Sequence, residues 1–413
     1  MENARPAGTP PSRLWRRLMR LAEIGDTGDG GVNRQAYTDG EAEAWGVLLG
    51  WAAEAGLEPS VDEAGNLFMT LPGRDRGLPP AVIGSHIDSQ PTGGRFDGPW
   101  GVLSALEVVT DMAAEGFVPA RDVTVVSWMN EEGSRFAPGM TGSEAFVGLR
   151  DMPSIRALRD ADGVLLGDAL DGLLARFPRL PRRKLGFPIA FLIEPHIEQG
   201  TVLEKAGVPI GVVTGMQGKV TFEVEVLGEE SHAGTRDMAV RRDAVMGFAR
   251  IAQAMQRAVG EADPAVKFTI GMLRVFPNAP SVIAGRVVFR IDLRHPDNAT
   301  LLDFAARLEA VAEAEAAPCG LRMRRLVHAP GNTFDEGLQA RLAAAAARLG
   351  LASMPVLSPA GHDARHFWAR CPTAMIFIPC RDGISHSPKE AVEPAHADAG
   401  AAVLAEVVRE LCG

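Results

Sequence analysis

Apolar and polar positions follow two patterns along the chain, and the first is that of an α/β protein. Short, mainly apolar runs occupy Ala81–Gly84, Val123–Trp128 and Phe187–Ile193, and polar residues follow each run closely. Such runs are typical of strands buried on both faces of a parallel sheet. Apolar residues at helical spacing predict helices before and between these runs, including Asp39–Ala55 and Val102–Glu115. The polar residues after the strands therefore lie where open α/β sheets bind ligands.

The second pattern begins near Lys219, where the chain takes on α+β character. Apolar and polar residues alternate over Lys219–Leu227, which predicts a strand with one exposed face. The elements predicted after this strand are a helix at Ala239–Val259, strands at Lys267–Phe276 and Arg286–Leu293, a helix at Ala299–Ala316 and a strand at Arg322–Leu326. This β-α-β-β-α-β order is the ferredoxin-like pattern. From Asp335 the α/β pattern returns, with a strand at Thr373–Ile378 between two helices.

The length of the chain agrees with an organisation in two domains. Its 413 residues exceed what one hydrophobic core normally supports. We predict one α/β domain built from two segments, residues 1–213 and 329–413, with a small α+β domain inserted at residues 214–328.

Charge and cysteine usage narrow the classes of function. Lys and Arg number 42 against 52 Asp and Glu, and the net charge of −10 argues against a nucleic-acid or anionic-membrane partner. Four scattered cysteines without a Cys-x-x-Cys pair predict free thiols in a reducing compartment. The first 21 residues lack a secretory signal, and no apolar run reaches the length of a membrane span. We expect a soluble, cytoplasmic protein.

Four polar clusters carry the candidate chemistry of the chain. They are Gly84-Ser-His86-Ile-Asp88-Ser with the nearby Arg95-Phe-Asp97-Gly, then Asn130-Glu131-Glu132, Glu194-Pro-His196, and Ser385-His386-Ser. Taken singly, each cluster could have a purely structural role. A glycine-flanked Asp shapes turns, paired acids start helices, and a lone His often lies in a loop. Four such clusters near strand ends together favour a metal site, because imidazole and carboxylate bind hard or borderline divalent cations.

The clusters contain enough ligands for two cations. Asp97 is the natural bridge, since Gly94 and Gly98 let its backbone and carboxylate approach closely. The remaining predicted ligands are His86, Glu132, His196 and His386. Two divalent cations against two carboxylates leave about two positive charges, which lower the pKa of a shared water and polarise a carbonyl group. The sequence therefore predicts a two-metal hydrolase.

Two further acids receive roles beside these ligands. Glu131 is adjacent to a ligand and suits a general base that takes a proton from water and returns it to the leaving nitrogen. Asp88 suits a partner for the other ring nitrogen of His86. The ligand types do not select one metal among zinc, manganese, cobalt and nickel.

The residues resemble the hydantoinase/carbamoylase amidase branch of the dinuclear-metal aminoacylase and carboxypeptidase superfamily. The matching stretches cover nearly the whole chain in order: Gly84–Ser89, Gly94–Gly98, Asn130–Phe136, Glu194–Gly200, Ser231–Thr235, Ile291–His295, Ala360–Ala364 and Ser385–Glu390. The stretch around His196 is the specific one, because the wider superfamily usually has a carboxylate at that position. The resemblance implies an aminopeptidase-like catalytic domain with an inserted ferredoxin-like lid that pairs subunits into a homodimer.

The resemblance also assigns the ligands to two cations. His86, Asp97 and His196 would bind one cation, and Asp97, Glu132 and His386 the other. It makes Glu131 the base, and expects His362 and Asp363 around the ligands rather than among them.

The resemblance implies a set of substrate-binding residues as well. His232, from the lid, would donate to the oxygen on which negative charge develops, and it would reach the partner subunit's active site. Gln199 and the backbone at Gly361 would contact the substrate, and Arg294 would grip its carboxylate. A surface ion pair with Asp292 is the structural alternative for Arg294.

Two positions depart from the pattern of this branch. Ser281 stands where relatives carry a substrate-binding Asn, and Asn278 is a possible substitute three residues earlier. Arg236-Asp237-Met238 replaces the usual Thr-Pro-Met. Both departures bear on the substrate and leave the metal chemistry intact.

The expected reaction is hydrolysis of a linear C–N amide or ureido bond with two divalent metal ions per subunit, zinc being preferred over manganese, cobalt or nickel. The substrate we favour is an N-carbamoyl-L-α-amino acid, which yields the amino acid, carbon dioxide and ammonia. Allantoate or ureidoglycine is the first alternative, and an N-acyl amino acid or dipeptide the second. A non-catalytic binding relative is a third, against which the full ligand set and Glu131 argue.

Overall fold

The computed structural model describes residues 11–413, which fold into two compact units. The first unit comprises the chain up to Thr214 together with Thr333–Gly413, and the second unit comprises Gly215–Asn332. The first is therefore built from two segments of the chain, with the second inserted between them.

The helices and strands are numbered here in chain order. The helices are α1 (Arg13–Ala22), α2 (Asp39–Glu54), α3 (Pro99–Ala114), α4 (Thr141–Val147), α5 (Met152–Arg156), α6 (Leu166–Ala175), α7 (Val202–Ala206), α8 (Ala244–Met255), α9 (Asn298–Glu315), α10 (Glu336–Arg348) and α11 (Pro394–Cys412). The strands are β1 (Glu58–Val61), β2 (Leu67–Leu71), β3 (Ala81–His86), β4 (Val123–Trp128), β5 (Phe191–Ile197), β6 (Ile210–Met216), β7 (Gly218–Leu227), β8 (Ser231–His232), β9 (Lys267–Phe276), β10 (Val282–Ile283), β11 (Arg286–His295), β12 (Gly320–Ala329), β13 (Asn332–Thr333), β14 (Ser353–Ser358) and β15 (Thr373–Ile378). Within the described chain, no helix combines the length and apolar character needed to cross a membrane.

A nine-stranded sheet forms the centre of the first unit. Its order is β1-β2-β4-β3-β5-β15-β6-β13, and β14 pairs with β6. The four central strands β4, β3, β5 and β15 are parallel to one another, and every residue of these strands is buried. Because parallel strands end at the same edge of a sheet, the residues after them lie close together. The predicted α/β class is confirmed.

The second unit is a four-stranded antiparallel sheet with two helices. The strand order is β12-β7-β11-β9, and along the chain the main elements follow as β7, α8, β9, β11, α9 and β12. Alternate residues of β7 are buried, and they form one core with the apolar sides of α8 and α9. This is the ferredoxin-like arrangement that the predicted order of elements indicates.

Two predicted boundaries near functional residues were wrong. The strand placed at Phe187–Ile193 is β5, at Phe191–Ile197, so His196 lies inside the strand instead of after it. The polar residues Glu194 and His196 are fully buried there, which a hydrophobicity pattern does not anticipate. The helix placed at Ala239–Val259 begins as α8 only at Ala244, because the Asp243 side chain accepts hydrogen bonds from the first backbone N–H groups.

The contact of α3 with β5 requires a glycine, and this gives a test of the packing. A Cβ on Gly101 would lie 2.1 Å from the carbonyl oxygen of Pro195. Replacing Gly101 with Ala should therefore destabilise the first unit by about 1–3 kcal/mol, as overpacking does, and thermal unfolding followed by circular dichroism measures the loss. Gly46→Ala in α2 is the matched control, because no atom lies within 4 Å of its Cβ position, and it should stabilise by about 0.5–1 kcal/mol. Equal melting temperatures for the two variants would contradict this account.

Candidate metal centre

The parallel strands of the first unit bring the predicted metal ligands to one edge of the sheet. His86 is the last residue of β3, and His196 lies near the end of β5. Ile83 is paired with Ile193, so three residues further along both strands the two histidines are level. Glu132 follows β4, and His386 lies in the loop between β15 and α11. The fifth residue, Asp97, lies in the loop that leads into α3.

Asp97 stands at the centre of this group. Its Oδ1 lies 3.1 Å from Nε2 of His196 and 3.7 Å from Nε2 of His86. Its Oδ2 lies 3.2 Å from Nε2 of His386, which is in turn 3.4 Å from Oε2 of Glu132. The five side chains therefore form two triads that share Asp97, and within each triad the ligand atoms lie within 4.8 Å of one another.

Backbone carbonyls fix which ring nitrogen of two histidines faces Asp97. Nδ1 of His86 lies 3.0 Å from the carbonyl oxygen of Asp88, and Nδ1 of His196 lies 2.9 Å from that of Ile197. A carbonyl oxygen only accepts, so each neutral ring carries its proton on Nδ1 and turns the lone pair of Nε2 towards Asp97. Both Nε2 atoms are buried without a hydrogen-bond partner. Lone pairs aimed at a carboxylate fit a cation between them, and the donor set suits two divalent cations.

Glycines on both sides of Asp97 make the close approach possible. Gly98 has a φ of +80°, and a Cβ there would lie 2.4 Å from Cε1 of His86. A Cβ on Gly94 would lie 2.0 Å from the carboxyl carbon of Glu390. No other residue fits at either position without displacing a side chain of the cluster.

Asp88 supports the cluster with both its backbone and its side chain. Its carbonyl oxygen is the nearest acceptor for Nδ1 of His86, and its Oδ1 lies 3.5 Å from the same nitrogen. The carboxylate also accepts hydrogen bonds from the backbone N–H groups of Glu131 (3.2 Å) and Glu132 (3.1 Å). One residue thus orients the ring at the end of β3 and the pair of acids after β4.

The cluster concentrates negative charge away from water. Burial raises the pKa of Glu131, and the neighbouring Glu132 raises it further. Burial and Asp97 raise the pKa of Glu132 to about 7. Burial opposes ionisation of Asp97 too, but the imidazoles of His196 and His386 beside its two oxygens hold its pKa well below the usual range. Carboxylates packed in this way are stabilised by divalent cations.

Glu131, the predicted base, lies at the edge of the cluster. Its carboxylate is buried, and Oε2 is 3.7 Å from Nε2 of His86. This places an acid beside the ligands while its neighbour Glu132 contacts His386.

The first unit also positions two of the predicted substrate residues. Gln199 has a left-handed backbone (φ 55°), and its Nε2 donates to Oδ2 of Asp97 (2.8 Å). Gly361 precedes His362, whose ring centroid lies 4.4 Å from that of His196. Burial lowers the pKa of His362, and its Nε2 contacts the hydroxyl of Ser358 (3.1 Å). Gln199 therefore contacts the cluster directly, and Gly361 is next in sequence to a histidine that packs on it.

The remaining predicted substrate residues lie in the second unit, three in or beside the two-stranded β8–β10 ribbon and one on the four-stranded sheet. His232 in β8 is paired with Val282 in β10, and Ser281 accepts a backbone hydrogen bond from Ala233 (3.0 Å). Asn278, with a φ of 60°, lies in the same turn, beyond the end of β9.

Arg294 lies near the opposite end of β11. Its Nε donates to Oδ1 of Asp292 (2.8 Å), and Nζ of Lys219 lies 3.0 Å from Oδ2 of the same carboxylate. The ion pair considered as the structural alternative is therefore formed, and it orients the guanidinium. Arg294 lies eight positions after Arg286 along β11, a span of about 27 Å at about 3.4 Å per residue.

The loop after His232 fixes the protonation pattern of its ring. The backbone N–H of Gly234 donates to Nδ1 of His232 (2.9 Å), so the neutral ring carries its proton on Nε2. Arg241 donates to the carbonyl oxygens of Ala233 (2.7 Å) and Arg236 (2.9 Å) and holds the loop together. The exposed His232 ring is thus a hydrogen-bond donor through Nε2.

Sequence reasoning assigned no role to several buried residues around the cluster. Glu390 accepts hydrogen bonds from the backbone N–H groups of Phe96 and Asp97. Glu194 accepts from the hydroxyl of Ser85 and the backbone N–H of Ala364. Glu390 belongs to the Ser385–Glu390 stretch and Glu194 to the Glu194–Gly200 stretch. Both acids therefore lie in motifs that carry the family resemblance. Their partners are more than 100 residues away in sequence, and local spacing does not reveal such contacts.

Comparisons with known proteins agree with this geometry. The sequence profile of peptidase family M20/M25/M40 matches residues 82–410. The chain is 40% identical over 403 residues to an N-carbamoyl-L-amino-acid amidohydrolase of Rhizobium meliloti, covering 96% of this chain and 95% of that protein. It is 36% identical to an allantoate amidohydrolase of Escherichia coli K12, covering 90% of each. A hydantoinase/carbamoylase family amidase from Burkholderia multivorans superposes with a TM-score of 0.87, at 39% identity and 97% coverage of both chains. The resemblance inferred from the motifs is confirmed.

The shared position of Asp97 predicts the stoichiometry of metal binding. Metal-free protein titrated with Zn²⁺ in a calorimeter should bind two ions per chain. His386→Ala should bind one ion, because His386 belongs to one triad only. Asp97→Ala should weaken the binding of both ions, because Asp97 belongs to both triads. His328→Ala, an exposed histidine of β12, is the control and should still bind two. Two tightly bound ions in Asp97→Ala would rule out the shared carboxylate.

Proposed function

The chain belongs to peptidase family M20/M25/M40, and from this membership we propose that it hydrolyses the ureido C–N bond of N-carbamoyl-L-α-amino acids. The products are the L-amino acid, carbon dioxide and ammonia. The observation that carries the proposal is the pair of triads on Asp97 with Glu131 beside them. Similarity to a carbamoyl amino acid amidohydrolase along 96% of the chain supports the substrate class.

The first unit supplies the groups that hold and move protons. His86, Asp97 and His196 would hold one divalent cation, and Asp97, Glu132 and His386 the other. Two cations there would lower the pKa of a shared water and polarise the substrate carbonyl. The carboxylate of Glu131 would accept a proton from the attacking water and donate it to the nitrogen that leaves. We favour zinc, with manganese, cobalt and nickel as alternatives.

The second unit supplies groups for the rest of the substrate. Arg294, oriented by Asp292, binds the substrate carboxylate through its guanidinium. Nε2–H of His232 donates to the oxygen on which negative charge develops at the carbamoyl carbon. Ser281 and Asn278 are the neighbouring polar groups available to the ureido end. Gln199 and the backbone at Gly361 contact the substrate from the first unit.

The distance between these groups supports a homodimer. The β8–β10 ribbon that carries His232 adjoins the end of the sheet where Leu227 pairs with Arg286, and Arg294 lies about 27 Å from that end along β11. A carbamoyl amino acid has only a few bonds between its ureido carbon and its carboxylate, so it does not span that interval. If both residues contact one substrate molecule, they come from two copies of the chain. We therefore propose a dimer formed by the second units, with His232 of one chain serving the active site of the other.

Allantoate is the second candidate substrate, and a specific observation favours it. The chain is 36% identical to an allantoate amidohydrolase over 90% of its length. Ser281 and Arg236 lie around His232, where they bear on the choice between ureido substrates.

The four cysteines are free and buried, and they support our placement of the enzyme in the cytoplasm.

A substrate panel tests the reaction. N-carbamoyl-L-methionine should be hydrolysed with a higher kcat/KM than allantoate or N-acetyl-L-methionine, and a chelator should abolish turnover. Glu131→Gln should lower kcat by about 10²–10⁴-fold while metal content is unchanged. The same replacement at the exposed Glu313 of α9 is the control and should leave kcat unchanged. Turnover that survives complete metal removal would contradict the proposal.

Mixing two inactive variants tests the dimer. His232→Ala and Arg294→Ala should each have little activity as pure proteins. After subunit exchange at equal amounts, half of the dimers are mixed and each mixed dimer regains one intact site, so about one quarter of wild-type activity should return. A mixture that stays as inactive as its components, with subunit exchange verified, would show that the two residues serve the site of the same chain.

A further inference from the structure

Glu390 is buried beside the metal centre and has no part in the chemistry proposed above. It is only 1% exposed and lies four residues after His386. Its Oε1 accepts hydrogen bonds from the backbone N–H groups of Phe96 (2.8 Å) and Asp97 (3.1 Å). A buried carboxylate is retained where donors satisfy it, and two of these donors belong to the loop that carries the shared ligand.

The same carboxylate reaches the side chain of Asp97 through one hydroxyl group. Oγ of Ser385 lies 3.0 Å from Oε2 of Glu390 and 2.6 Å from Oδ2 of Asp97. Glu390 therefore contacts Asp97 at its backbone directly and at its carboxylate through Ser385. The Glu390 carboxylate packs directly against the backbone of Gly94. A side chain at Gly94 would collide with it, because a Cβ there would lie 2.1 Å from Oε1.

We propose that Glu390 is the positioning residue of the shared carboxylate, holding Asp97 so that its two oxygens face the two triads at once. This inference rests on the proposed metal centre and adds a residue to it. Oδ1 of Asp97 faces His196 and Oδ2 faces His386, so a shift of the Asp97 backbone displaces both oxygens together. Loss of the Glu390 contacts should therefore weaken the binding of both cations, whereas loss of His386 should weaken the binding of one.

The contacts of Glu390 also join two distant parts of the chain. Glu390 and Ser385 flank His386, and their partners Phe96 and Asp97 are nearly 300 residues earlier. The loop that carries one ligand of the second triad is thereby held against the loop that carries the ligand common to both. This explains why the acid follows His386 so closely in sequence.

Two conservative variants separate geometry from charge. Glu390→Gln keeps a side-chain oxygen at the same distance from the two N–H groups but removes the charge. Glu390→Asp keeps the charge but withdraws the carboxylate by one methylene group. If Glu390 acts by position, Glu390→Gln should bind metal with an affinity within about threefold of the wild type. Glu390→Asp should lose about 10–100-fold in metal affinity, the usual range for residues that orient metal ligands.

The experiment is a calorimetric titration of the metal-free full-length chain with Zn²⁺, in parallel with thermal unfolding. Asp122→Ala is the matched control, because Asp122 is also a buried carboxylate that accepts a backbone N–H, from Gly73 (2.8 Å), but it precedes the other end of β4. It should lower the melting temperature and leave both dissociation constants unchanged. Glu390→Ala should weaken both ions by at least as much as Glu390→Asp, and if it does not fold, the Gln and Asp variants carry the test.

The outcomes separate this inference from the proposed function. Wild-type protein that binds fewer than two ions would overturn the metal centre and the inference with it. Two ions in the wild type, with both affinities unchanged in Glu390→Asp, would overturn the inference alone. A loss confined to one ion, or a Gln variant as weak as the Asp variant, would likewise contradict positioning of a shared ligand.

Discussion

The arrangement of the whole site depends on one carboxylate that faces two groups of ligands. Asp97 lies in a loop, and its two oxygens point to different histidines, His196 and His386. Parallel strands with a fixed register deliver the other ligands to the same edge of the sheet, as the level positions of β3 and β5 show for two of them. A change in strand register or in the glycines of the Asp97 loop would separate the two triads.

Bringing these groups together has an electrostatic cost that the fold offsets locally. Carboxylates and imidazoles lose hydration on burial, and the structure compensates with hydrogen-bond partners for several of them. Asp88 accepts from the backbone of the two acids after β4, and Glu390 accepts from the backbone of the Asp97 loop. The carbonyls of Asp88 and Ile197 orient two histidine rings. Divalent cations would complete the balance of charge, and a metal-dependent hydrolytic centre fits such a site.

Much of this could be predicted from the sequence, for a physical reason. Strands buried in a parallel sheet appear as apolar runs, and His86 and Glu132 end or follow such runs, so their convergence was foreseeable. The alternation over Lys219–Leu227 indicated the α+β unit in the same way. What escaped prediction was buried polarity and long-range contact. His196 lies inside β5, where a polar residue interrupts the pattern, and Glu390 acts on residues almost 300 positions away. The position of Arg294 along β11, away from the strand end that adjoins the β8–β10 ribbon of His232, follows from strand pairing, which local spacing does not encode.

The most direct measurement is anomalous X-ray scattering at the zinc edge from crystals of the protein grown with Zn²⁺. The account predicts two peaks in each chain, one on either side of the Asp97 carboxylate, the first between His86 and His196 and the second next to Glu132 and His386. A single peak, or two peaks that do not both lie against Asp97, would contradict it.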